Sequence, residues 1–247
     1  MEQSPSWHKT TGGTIFLSVI GGALILLFAF LLLVSVYAWQ LRYGNADNLL
    51  SQFSTQFTTS NDLASRIRSA PPVDNVGDII RQHNPTFGKT DAPITITAFI
   101  DFECPFCARS YPVFKEVMDT YGPAIQIVFK HLPLQSIHPR AYPAAIASTC
   151  AQEQDAFWPF YDKTFSTLQF DDDAFLRYAR ELNLNTTQFL SCIDAERYVK
   201  NIEQDIVDAV AVGAQGTPTY FLNNTKIEGV LTKALWDELI LRQLQDL

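Results

Sequence analysis

The chain has 247 residues, 47% of them apolar and 18% charged, the composition of a folded protein with room for one large domain or two small ones. Its formal net charge of −8, with no basic run, argues against a nucleic-acid partner, whose phosphates an acidic surface repels.

Residues 1–13 read as a short tail. From Thr14 to Ala38 the sequence "TIFLSVIGGALILLFAFLLLVSVYA" holds no charge, and none falls between Lys9 and Arg42. That length suffices to cross a hydrocarbon layer of about 30 Å, so the segment is expected to be a transmembrane helix acting as a signal anchor. Trp7 on one side and Tyr37, Trp39 and Tyr43 on the other suit interfacial aromatic belts. The alternatives are a buried core helix, which seldom runs so far without a polar face, and a signal peptide cut after Ala38, whose apolar core is usually about 7–15 residues. The flanking charges, Lys9 and Arg42, nearly balance and do not set the orientation.

Residues 39–88 read as a stalk or junction, rich in Ser, Thr, Asn and Gln and broken by "APP" at 70–72. Leu49, Leu50, Phe53 and Phe57 recur at helical spacing within it, which predicts a short amphipathic helix. A domain follows over 89–247. It opens with the alternating strand "APITITAFID", then a helix starting near Cys104 and running to about Tyr121, then a strand "AIQIVFKH". This β, α, β order favours a parallel pair. Residues 138–212 are mostly helical in pattern, with Asp171 to Asp173 placed to cap one of the helices. Two short strands around an Asn-Asn turn, "TYFLNNTKIEG", and the helix "LTKALWDELILRQL" close the chain. The expected class is α/β, a mixed central sheet flanked by helices with a helical insertion.

"CPFC" at 104–107 sets two cysteines at a helix start, close enough to bridge. The first sits where unsatisfied N–H groups and the helix dipole favour a thiolate, which makes Cys104 the nucleophile and the deeper Cys107 the resolving thiol. A zinc site needs two further ligands, and Cys150 and Cys192 are isolated with no His close behind, so no metal is expected. A purely structural bridge is the remaining alternative. Downstream, "GAQGTPTYFLNN" places Pro218 at the first residues of a strand, where a proline is tolerated. His131 and His138, flanking "LPLQS", read as residues of a solvated loop, and Asp101 as a turn or cap residue.

"CPFC" after an apolar strand, Pro112, "GTPTYF" and the stretch "AAIASTCAQEQDAFWPFYDKTF" together resemble the thioredoxin-fold, DsbA-like disulfide oxidoreductases, and among them the membrane-anchored prokaryotic branch. The resemblance covers about Asp91 to the C terminus. It implies a thioredoxin fold, a redox-active Cys104–Cys107 disulfide with no other cofactor, and active-site support from Pro105, Phe106, Thr217 and Pro218. Pro218 is implied to be cis and to lie against the Cys104 sulfur, with Thr217 pairing to an extended substrate segment. Related proteins often carry a second disulfide in the insertion, which here implies Cys150–Cys192; two free buried cysteines are the alternative. In two places the chain departs from the family. Phe106 stands where the best-known members have a histidine, and Ala98 where many keep a buried carboxylate. With Glu103 beside the nucleophile, this implies a Cys104 pKa that is lowered, but less than in DsbA.

The implied activity is a membrane-anchored thiol-disulfide oxidoreductase on the extracytoplasmic side of the cell membrane, introducing disulfides into reduced or misbridged exported polypeptides. A quinone-linked membrane partner of the DsbB or vitamin K epoxide reductase type would reoxidise it. Two other readings stay open: a reductase or isomerase of the same fold, and a non-catalytic peptide-binding module with an apolar rim of Phe102, Pro105 and Phe106.

Overall fold

The computed structural model describes Val19, residues 25–36 and residues 60–245. The chain divides into two units, Met1–Thr59 and Ser60–Leu247. In the first, residues 25–36 are helical and their apolar side chains are exposed, Leu26 by 73% and Phe28 by 67%. Apart from Val19, the rest of the expected span 14–38 and the expected amphipathic helix at 49–57 lie outside the described residues. Among the described residues no helix is long and apolar enough to cross a membrane.

The second unit begins earlier than the strand pattern suggests. Helix α1 (Ser60–Ser69) buries Ala64 and Ile67 in the main core, and a short 3-10 turn at Val76–Ile79 buries both its end residues against the far face of the sheet. Much of the 39–88 segment is therefore part of the folded domain. Strand β1 (Thr86–Gly88) is too short to leave a pattern in the sequence. Gly88 has φ +85°, and a Cβ there would stand 2.3 Å from the Ile125 carbonyl oxygen, so only glycine closes this pairing.

Strands β2 (Ile94–Ile100) and β3 (Ile125–His131) pair in parallel across helix α2 (Pro105–Tyr121). The insertion holds α3 (Ala141–Gln152), α4 (Phe157–Thr167), α5 (Asp172–Glu181), α6 (Thr186–Asp194) and α7 (Val199–Ala211). Strands β4 (Thr219–Leu222) and β5 (Thr225–Glu228) and helix α8 (Lys233–Gln245) complete the unit. The sheet order is β1-β3-β2-β4-β5, with β4 antiparallel to β2 and β1 antiparallel to β3. The period of two in β2 divides the core: Ile94, Ile96, Ala98 and Ile100 enter the large cluster with α2 and the insertion, while Phe99 packs with Phe221 on the other face.

Asp171 caps α5, accepting from the Ala174 N–H at 2.8 Å, as its position before "DDA" predicts. Cys150 on α3 and Cys192 on α6 form a disulfide closing 42 residues, a loop size for which chain entropy gives about 4 kcal/mol. On the sheet's far face Lys130 is fully buried; it donates to the Ile79 carbonyl at 2.5 Å and to Asp208 at 2.7 Å, and pairs with Asp205 at 3.1 Å. Arg81 makes two bonds to Asp208, whose carboxyl is held at about 2 by Arg81 and Lys130 against the cost of burial. This cluster fixes residues 79–84 to α7, although the cost of taking buried ions out of water can exceed what their pairing returns.

Candidate redox site

Cys104 is the N-cap of α2, in extended conformation, and Pro105 takes the first helical position, where its missing N–H costs nothing. The Cys104 N–H donates to the Asp101 carbonyl at 3.3 Å, and its own carbonyl accepts from Ala108 at 3.0 Å. The helix start therefore rises directly from the end of β2, with its first N–H groups around the sulfur. No acidic residue stands in the first turn of α2.

The Thr217–Pro218 peptide bond is cis, at the entrance to β4. β4 is hydrogen-bonded to β2, so the turn before β4 lies beside the turn after β2, and the Cys104 thiol donates to the Thr217 carbonyl at 3.3 Å. Residues 113 apart in sequence thus meet at one sulfur. The Thr217 hydroxyl is buried with no hydrogen-bond partner, leaving its O–H to turn onto a thiolate.

Both cysteines are thiols in this structure. Cys104 and Cys107 are 3% and 2% exposed, so the expected contrast in accessibility between them is small. Their electrostatics differ far more. The Cys104 thiol is brought down to about 5, chiefly because the Cys107 S–H donates to its thiolate, with Thr217 and the Cys107 and Phe106 N–H groups adding to this against burial. Cys107 is pushed well above the ordinary thiol range by burial and by that same bond to Cys104. One sulfur is thereby made the anion and the other keeps the proton.

Glu103 does not stand alone beside the nucleophile: its carboxylate accepts from the Arg140 N–H at 2.5 Å, where α3 begins. Phe106 is 52% exposed, with the Arg109 guanidinium 5.3 Å above its ring. Phe102, expected on an apolar rim, is instead buried to 1%, stacked on Phe129 and tilted against Phe165, because it continues the alternation of Ile94 to Ile100 on the face that α2 covers.

Sequence reasoning missed the role of the 132–138 loop. Asp101 is buried; its carboxylate accepts from the N–H groups of Glu103 at 2.8 Å and Leu134 at 2.9 Å, and it pairs with His138 Nδ1 at 2.7 Å. It fastens the loop to the turn that carries Cys104, which agrees with its reading as a turn residue and leaves its oxygens engaged. His138 is therefore a partner of that turn. His131, also read as a loop residue, is 2% exposed among Phe102, Phe129 and Phe157. No spacing signal links Asp101 to His138, 37 residues on. Among the described residues no group of three or more His, Cys, Asp or Glu is placed to hold a metal.

A family model described as thioredoxin matches residues 81–242. Among solved structures, the chain is similar to a thioredoxin-like oxidoreductase from Silicibacter pomeroyi (TM-score 0.62, 22% identity, 68% of this chain and 97% of that one). It is also similar to the thiol-disulfide exchange protein alpha-DsbA2 from Wolbachia pipientis (TM-score 0.61, 17% identity, 74% and 96%). A curated relative, the Na(+)/H(+) antiporter NhaA of Herminiimonas arsenicoxydans, is 34% identical over 160 residues, which are 64% of this chain and 24% of that protein. The match spans about a quarter of the curated relatives' length.

Proposed function

This chain belongs to the thioredoxin family and has the fold of its DsbA-like members, and from that premise we propose that it is a membrane-anchored thiol-disulfide oxidoreductase which oxidises exported polypeptides. The observation that carries the reading is the Cys104 sulfur at the start of α2, 3.3 Å from the Thr217 carbonyl beside the cis Pro218, a setting that brings Cys104 down to about 5 and leaves Cys107 above the ordinary range.

With the pair bridged, a substrate thiolate attacks the Cys107-linked sulfur of Cys104, forming a mixed disulfide and releasing Cys107, which takes up a proton. A second substrate thiolate attacks the substrate sulfur of that mixed disulfide and expels Cys104 as a thiolate, which the Cys107 S–H and Thr217 stabilise. The substrate gains a disulfide and the enzyme is left with two reduced sulfurs. A stable leaving thiolate favours this direction. The Thr217–Pro218 turn and exposed Phe106 and Pro105 supply the surface on which an extended substrate segment lies.

The redox pair itself is the reactive group, and no separate cofactor enters these steps. Turnover needs an electron acceptor, for which a quinone-linked membrane protein of the DsbB or vitamin K epoxide reductase type fits. The apolar stretch 14–38 would tether the domain on the extracytoplasmic side, where such an acceptor and reduced exported chains meet. The antiport activity in the curated relatives' names belongs to proteins about four times the matched length, and we do not propose it here.

Trapping thiols by alkylation in intact cells tests the direction. An oxidase rests with the 104–107 pair bridged and unmodified; a pair found mainly alkylated would assign the domain to reduction or isomerisation.

A further inference from the structure

Cys107 must form a bond to Cys104 each time the enzyme is reoxidised, yet it is buried and holds its proton tightly. No carboxylate lies beneath it at position 98, which is alanine. Directly across the β2–β4 pairing from Ala98 stands Tyr220. The small side chain leaves room for the tyrosine, whose hydroxyl reaches the Ser110 hydroxyl at 2.8 Å. Both residues are 1% exposed. Ser110 follows Cys107 by three positions, so the two occupy adjacent places on the buried face of α2.

Two hydroxyls that share one hydrogen bond use one of their two O–H groups for it. The other has no acceptor within the pair, and the group one turn away that becomes an acceptor during the reaction is the Cys107 sulfur. We propose that Ser110, oriented by Tyr220, is a positioning residue for the resolving step, its O–H donating to the negative charge that appears on Cys107 as that thiol gives up its proton to attack Cys104. The other groups that face Cys107 are Cys104 itself, the Asp101 main-chain N–H, the Thr217 hydroxyl and the Tyr161 ring. Thr217 and the helix start also serve Cys104, whereas Ser110 shares the buried face of α2 with Cys107, and its partner Tyr220 feels the charge of Cys107 more than that of Cys104. Burial and the nearby Cys107 both push the Tyr220 hydroxyl upward, so it acts as a neutral donor and not as a base.

The inference rests on the thiol-exchange reading above. With oxidised glutathione as probe, the Cys104 thiolate first takes one glutathione sulfur and releases the other. Cys107 then attacks the Cys104 sulfur, the 104–107 bond forms, and the bond to glutathione breaks. The departing glutathione thiolate takes the proton that Cys107 gives up. Quenched single-turnover oxidation of the reduced protein, read by mass spectrometry, separates the two phases. Ser110→Ala and Tyr220→Phe should leave the first phase and the Cys104 titration unchanged and slow the second about tenfold, the worth of one hydrogen bond to a charged atom, so that the glutathione adduct accumulates. Ser110→Thr, which keeps a hydroxyl, should restore the second phase. An unchanged second phase in Ser110→Ala, or an equal slowing of both phases, overturns the assignment. Absence of any first phase in the unmodified protein would instead sink the exchange reading itself.

Discussion

Cys104→Ser should abolish the oxidation of a reduced protein substrate, and Cys107→Ala should accumulate covalent enzyme–substrate adducts through Cys104. The two outcomes differ because the sulfurs have different work: one attacks and leaves as an anion, the other resolves. The same account fixes a pH dependence. With Cys104 at about 5, its alkylation rate should rise with a midpoint near that value and be level by neutral pH. The leading cause is the Cys107 S–H, so Cys107→Ala should move the midpoint up toward the ordinary thiol range while Cys107→Ser, which keeps a donor, moves it less. An alkylation midpoint above 8 in the unmodified protein would contradict the stabilised thiolate.

Acid should destabilise the domain well before its carboxylates are protonated, and His131 is the reason. Its ring is fully buried, both nitrogens lack hydrogen-bond partners, and burial brings it down to about 4 from 6.5, with Asp205 opposing that shift and His83 and Lys130 adding to it. The folded pKa lies below the unfolded one, so between pH 6.5 and 4 the unfolded chain binds a proton that the folded chain refuses. Stability is therefore full above pH 6.5 and falls as pH drops to 4, by about 3 kcal/mol at about 1.4 kcal/mol per unit. Asp208, held at about 2, adds its own loss only below the usual carboxylate range. Urea unfolding midpoints across this window should slope downward in the unmodified protein and lie nearly flat in His131→Phe, whose ring suits the surrounding aromatic cluster. Parallel slopes in the two proteins would remove His131 as the cause.

The parts of this fold that were legible from sequence are those with a strong local signal. The alternation in 94–100 and 125–131, the Cys104 helix start and the Asp171 cap each follow from residues that are neighbours in the chain. Three residues of β1 carry no periodicity, and Ala64, Ile67, Val76 and Ile79 find their core only through tertiary contact, so residues 60–88 were illegible as part of the domain. At the site, Cys104, Cys107, Thr217 and Pro218 were legible through their motifs. The side-chain pairs that brace the turn and helix around them were not. Asp101 and His138, or Ser110 and Tyr220, are joined by strand order and register, and neither is written in spacing. His131 shows the same limit, since its burial depends on which face of β3 the aromatic residues of α4 cover.

Oxidation of substrates by this pair requires that it give up its disulfide readily, with Cys104 leaving as a stabilised thiolate. Equilibrating the domain with glutathione buffers of graded ratio and quantifying the 104–107 disulfide measures that directly. A nucleophile at about 5 falls between reference values of about 3.5 for DsbA and about 7 for thioredoxin, whose potentials are about −120 and −270 mV, and so predicts a potential of about −180 mV. A value at or below about −270 mV, the thioredoxin reference, would contradict it and make the domain a reductase.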